Sequence, residues 1–193
     1  MPRVIHPIEV ESYRILRSRI DLSHLPPLSR AVAERVIHAA ADLSFGDSLV
    51  LDEDALQKGR EALLNGAPVY CDARMAAAGI TSRTPIVPLD DPRAKTPEPG
   101  LTRSATAMRL ATREAPAGAV WVIGNAPTAL FELLEHPPTD PALIVGLPVG
   151  FVGASEAKEA LAQSALPFVT NRGERGGSAV AVAAVNALIY YDA

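Results

Sequence analysis

The sequence predicts an α/β fold of three layers, with helices on both faces of a mainly parallel, five-stranded sheet. Three observations predict it. Short apolar runs at 69–72, 85–89, 119–123, 142–145 and 167–170 alternate with segments of helical periodicity. The run Ala119-Val120-Trp121-Val122-Ile123 is β-branched and aromatic without polar alternation, as suits a strand buried on both faces. Glycine turns follow three of the runs, at Gly124-Asn125-Ala126-Pro127-Thr128, Gly146-Leu147-Pro148-Val149-Gly150 and 171–177. Strand, turn, helix and strand make a right-handed crossover, whose loops gather at the carboxyl ends of parallel strands, where open α/β sheets bind ligands. The turns are therefore expected to look into one crevice.

Taken in order, 7–20 is a helix with Ile8, Ser12, Ile15, Leu16 and Arg19 on one face. A clearer helix covers 29–43, with Ser29 as its N-cap and Val32, Ala33, Val36, Ile37 and Ala40 as its apolar stripe. Helix 54–64 stops at Asn65-Gly66, a good C-terminal signal. The first strand runs into Asp72, which opens a short helix ending near Gly79; 84–89 is the next strand, and 90–100 is a surface loop or lid. Helices follow over 102–114, 129–135, where Pro127 suits the first turn, and 155–164. The last helix, 178–189, is apolar nearly all round and must be buried, under the sheet or in a subunit interface. The chain reads as one domain over 1–193 with an N-terminal helical segment at 7–65.

The chain of 193 residues is long enough to bury a sizeable core, and its 48% hydrophobic and 21% charged content is that of a globular protein. A net charge of −4 argues against a nucleic-acid footprint, while leaving room for local arginine clusters. The lone Cys71 rules out an internal disulfide and any multi-cysteine metal site. No apolar signal core opens the chain and no segment approaches 18 apolar residues, so the expectation is a cytoplasmic protein without a membrane span. The arrangement is Rossmann-like, but neither G-x-G-x-x-G nor G-x-x-x-x-G-K-[ST] is present.

Three features could carry chemistry. The glycine turns permit close backbone approach, either for tight strand–helix connections or for a large flat ligand. His38 lies within a well-formed helix, with Arg35 one turn before it and Asp42 on the same face after it; a carboxylate there could hold the ring and favour its protonated form, or the triplet is a solvated face with an ion pair. Arg14, Arg35, Arg74, Arg83, Arg103, Arg109 and Arg172 lie near helix starts or loops, and several converging on one crevice would suit a polyacidic small molecule. Singly, most of them read as surface charge. Arg103 stands out because Thr102-Arg103-Ser104 opens a helix whose free N–H groups also favour an anion. No nucleophile–base pair and no metal constellation can be read.

The motifs Arg35-Val36-Ile37-His38-Ala39, Gly66-Ala67-Pro68, Cys71-Asp72-Ala73-x-Met75, Thr102-Arg103-Ser104-Ala105, IGNAPTAL at 123–130, GLPVGFVGA at 146–154 and GGSA at 176–179 before Asn186-Ala187-Leu188 occur in order along nearly the whole chain. In these the sequence resembles the precorrin-8X (cobalt-precorrin-8) methylmutases of corrin biosynthesis. The resemblance implies an isomerase that moves a methyl group from C-11 to C-12 of a tetrapyrrole, without a separate cofactor, and binds its corrinoid product tightly. It implies that His38 exchanges a proton with the macrocycle, that Ser12, Arg35 and Arg103 contact the substrate, and that Asp72, Met75, Thr81, Gly124, Asn125 and Thr128 line the pocket. It also implies a homodimer with active sites at the interface. Arg74 and Glu174 depart from the family's pattern, and bear on substrate grip. The competing expectations are a corrinoid carrier that catalyses nothing, against which a proton donor at His38 counts, and an unrelated α/β enzyme with a nucleotide at the glycine turns, against which the missing phosphate fingerprints count.

Overall fold

Two apolar cores lie on either side of one sheet, and the strands alternate between them. The computed structural model describes residues 6–191. Its elements are α1 (Pro7–Arg19), α2 (Pro27–Ala40), α3 (Phe45–Ser48), β1 (Leu49–Leu51), α4 (Glu53–Leu64), β2 (Val69–Cys71), α5 (Arg74–Gly79), α6 (Arg103–Glu114), β3 (Val120–Ile123), α7 (Pro127–Glu135), β4 (Leu143–Gly146), α8 (Ala154–Ala162), β5 (Phe168–Asn171) and α9 (Ser178–Ile189). The sheet order is β1-β5-β4-β3-β2, parallel except for the antiparallel pair β1–β5. Val120 and Val122 of β3 face the core built with α2, α4, α5 and α9, whereas Trp121 and Ile123 face the core of α6, α7 and α8. All four are fully buried, as the unbroken apolar run requires.

The structure corrects the expectation at several places. The run 85–89 is not a strand. Ile86 makes one bridge to Tyr70, giving its N–H to Val69 O (2.8 Å) and accepting from Cys71 N–H (2.8 Å). Pro85 brings no N–H to a ladder and Pro88 starts a 3-10 turn, so pairing ends there. The fifth strand is instead β1, three residues between two helices that pair with β5. Helix α2 begins at Pro27, so Ser29 lies inside its first turn rather than capping it. Glu53 of α4 does the capping: its carboxylate accepts from Leu28 N–H (2.8 Å), Ser29 N–H (2.8 Å) and Ser29 Oγ (2.6 Å). The helix ends at Ala40, because Ala41 turns left-handed at φ 51°.

Residues 90–100 are folded onto α6 through two 3-10 turns rather than standing off as a lid. Glu98 N–H donates to Thr106 Oγ1 (3.0 Å), Arg109 binds Glu98 (2.8 Å), and Arg93 binds Glu114 (2.7 Å). Helix α9 lies under the sheet of its own chain, packed on α2, α4 and α5.

Candidate functional site

Asp72 directly follows β2 and is the anchor of the carboxyl edge. Its buried carboxylate accepts the N–H groups of Gly124 (3.1 Å), Asn125 (2.7 Å) and Ala126 (2.7 Å), so the turn before α7 is tied to the neighbouring strand. Burial holds the Asp72 carboxyl above the usual carboxylate range, and the three backbone donors offset only part of that rise. At Gly124 a Cβ would sit 2.7 Å from Ser178 Cα, so turn and α9 meet backbone to backbone. At Gly146 it would meet Leu161 and Leu130 on the opposite face of the sheet. These two glycines thus serve two separate internal packings, on opposite faces of the sheet. The second and third turns are joined directly: Gly177 N–H donates to Leu147 O (2.8 Å) and Gly150 N–H to Glu174 O (3.1 Å).

Lys158 of α8 holds that third turn, a role with no signal in the sequence, where a lysine in ASEAKEALA reads as solvated. It is fully buried, and its ammonium donates to Asn171 Oδ1 (3.1 Å) and Arg175 O (2.6 Å). Burial pushes its amine down to about 8. Cys71, also buried, is pushed up to about 12, so it offers no thiolate at neutral pH.

The second group lies where α1 crosses α2. Ser12 Oγ and His38 Nδ1 share a 2.9 Å hydrogen bond, with the donor set by the imidazole tautomer. The Tyr13 ring stacks on His38, centroids 4.9 Å apart and planes 13° apart. Arg35 Nη1 donates to Glu9 Oε1 at 2.9 Å. Among the described residues, His38 Nε2 has no hydrogen-bond partner, so it is the ring nitrogen left for a ligand. Two cavities flank His38. One of about 360 Å³ is lined by Ile8, Glu9, Ser12 and Arg35, and one of about 460 Å³ by Arg35, Met75, Gly79, Val182 and Asn186. Asp42 takes no part, since the helix ends before it; it binds Arg175 at 2.5 Å instead.

Of the residues singled out in the sequence, Ser12, Arg35, His38 and Met75 come together at these cavities. Gly124, Asn125, Thr128 and Arg103 form a neighbouring group, since Thr102 at the start of α6 and Thr128 in α7 share a 2.8 Å hydroxyl bond. Helix α5 lies between the groups. Met75 faces His38, while Arg74 binds Asp90 (2.8 Å) beside Leu89, whose carbonyl accepts from Arg103 (3.3 Å). Thr81 is exposed just beyond α5. The arginines do not converge as a set. Arg83 donates to the carbonyls of Leu63 and Ala67, Arg109 is held by Glu98 and Glu132, and Arg14 pairs with Glu11 on its own helix. Sequence reasoning missed Tyr13; the available signal was an aromatic residue next to Ser12.

Comparison with known proteins gives a consistent result. A family model described as precorrin-8X methylmutase matches residues 7–191. The precorrin-8X methylmutase of Pseudomonas aeruginosa is 47% identical over 191 residues, covering 92% of this chain and 91% of that protein. The cobalt-precorrin-8 methylmutase of Salmonella typhimurium is 41% identical over 198 residues, covering 95% and 94%. A solved structure of precorrin-8X methyl mutase from Thermus thermophilus superposes with a TM-score of 0.85 at 34% identity, covering 95% of this chain and 96% of that one.

Proposed function

The chain belongs to the precorrin-8X methylmutase family, and we propose that, as an isomerase of cobalamin biosynthesis, it moves the C-11 methyl group of precorrin-8X or cobalt-precorrin-8 to C-12. The observation that carries the chemical reading is the Ser12–His38 pair. Ser12 engages Nδ1 and so directs Nε2 toward the ligand. From Nε2 a proton passes to a nitrogen of the macrocycle, drawing electron density from the conjugated path. The methyl group then breaks its bond to C-11 and forms one to C-12 within the same molecule, and the proton returns to the imidazole. No co-reactant is consumed. What the protein supplies is position: a flexible, carboxylate-bearing ring must be held in its reactive shape.

Arg35 and Arg103 are the side chains to bind peripheral carboxylates, Arg35 by exchanging Glu9 for the substrate. Ser12, Met75, Thr81, Asn125 and Thr128 line the remaining surface; Asp72 and Gly124 act through the turn they shape. We further read the protein as one cytoplasmic domain that works as a homodimer and holds its corrinoid product tightly. Among the described residues no helix is long and apolar enough to cross a membrane. Phe151 and Val152, 91% and 88% exposed beside the second turn, are the apolar residues a partner subunit would cover.

The test mixes wild-type protein and His38→Ala with precorrin-8X and follows visible absorbance, with sedimentation of the same preparations for the dimer. Wild type is expected to convert the spectrum to that of a rearranged corrin, and the variant to bind without conversion. Binding by both proteins with conversion by neither, on the metal-free and cobalt substrates alike, would establish a carrier. Absence of binding would refute the assignment.

A further inference from the structure

Tyr13 touches both His38, which carries the proton, and Arg35, which binds a substrate carboxylate. Its ring stacks on His38, and its hydroxyl lies 3.5 Å from Arg35 Nη1, at the outer limit of a hydrogen bond. We propose that Tyr13 is a positioning residue for the methyl shift, setting the plane of the His38 ring while Ser12 sets its direction. The role presupposes that His38 carries the proton.

One hydrogen bond at Nδ1 leaves an imidazole free to tilt about that bond. A near-parallel ring against its face removes the tilt, and Nε2 then points along one line. Tyr13 is itself held. The Arg17 guanidinium lies 5.7 Å from its ring centroid, and Arg17 is gripped by Glu34 through two hydrogen bonds, 2.8 and 2.7 Å. Tyr13 and Arg17 are four residues apart on α1, and Glu34 and His38 four apart on α2, so each pair shares one helix face. The four side chains close a ring across the two helices: His38 on Tyr13, Tyr13 under Arg17, Arg17 on Glu34, and Glu34 one turn from His38. Because the hydroxyl contact is marginal, the aromatic face is the working part, and phenylalanine can replace it.

The test compares Tyr13→Phe with Tyr13→Leu, using Tyr13→Met in place of the leucine variant if that one fails to fold. Two readouts are taken: kcat and KM on precorrin-8X, and the ring-nitrogen NMR signals of His38 in the free protein. Tyr13→Phe is expected to keep both kinetic constants within about twofold and the wild-type His38 signals. Tyr13→Leu is expected to lower kcat roughly tenfold with KM within about twofold, and to shift and broaden the His38 ring signals as the tilting ring loosens its Ser12 hydrogen bond. Wild-type kcat and wild-type His38 signals in the leucine variant would overturn the proposal, as would equal losses in Phe and Leu. A rise in KM alone would make Tyr13 a substrate contact instead. The NMR readout needs no substrate, so a failed stack is told apart from a failed role for His38, which retained turnover in His38→Ala would reveal.

Discussion

The carboxyl edge of the sheet and the crossing of α1 with α2 both carry candidate site residues, but different forces hold them. At the edge, backbone meets backbone: Gly124 against Ser178, Gly176 against the carbonyls of Leu147 and Pro148, and three N–H groups on the buried Asp72. Nothing there can shift without disturbing the core. At the crossing, polar side chains that range from a buried Glu34 to an exposed Arg17 meet through ion pairs, one hydroxyl–imidazole bond and a ring stack. Helix α1 buries Leu16 alone among its residues. The difference teaches that shape and chemistry are lodged in separate places. The edge is fixed by packing density, and His38, the group we propose to handle the proton, stands on a polar seam whose parts can be exchanged with little loss of fold.

Substitutions on the two sides should therefore separate stability from turnover. The largest effect is expected from Asp72→Ala, which leaves three backbone donors without their acceptor. Denaturant unfolding should show a loss of about 3 kcal/mol, with Asp72→Asn intermediate. An Asp72→Ala protein as stable as wild type would mean that the edge is not packed as described.

Lys158→Met comes next, and its effect depends on pH. The folded-state amine titrates near 8 and the unfolded one near 10.5, so between those values the unfolded chain holds the extra proton. The stability tied to this depressed value is present above 10.5 and lost as pH falls through 8. The deficit of the methionine variant, on the order of 1–3 kcal/mol from its two lost hydrogen bonds, should therefore widen as pH rises from 8 to 10.5. A deficit independent of pH would show that the amine is hydrated.

The smallest change in stability is expected at the seam. Arg17→Ala removes a guanidinium that is 63% exposed, and should alter unfolding by under about 1 kcal/mol. Its trace should appear in the kinetics, as a fall in kcat of about threefold from loosening Tyr13. A large stability loss in Arg17→Ala would erase the contrast between the two regions.

The sequence by itself determined the layers. Four of the five strands, all the longer helices and the burial of α9 follow from local patterning, because a buried parallel strand must be apolar throughout and a half-buried helix must repeat every three to four residues. That α9 lies under its own sheet was decided by the tertiary structure. Residue types at the seam were legible too: Arg35 and His38 stand out by chemistry and by a family motif, and Ser12 by the family resemblance alone. Tertiary structure alone decided the rest. The three-residue β1 forms because β5 offers it an antiparallel partner, and 85–89 fails because two prolines leave β2 with one bridge. Asp42 leaves the His38 face because the chain turns at Ala41, and Tyr13 reaches His38 only because α1 crosses α2 at that level. Lys158 is buried because the turn after β5 closes over it. Each of these outcomes depends on a partner distant in sequence, or on a change of direction in the backbone, and periodicity within one segment encodes neither.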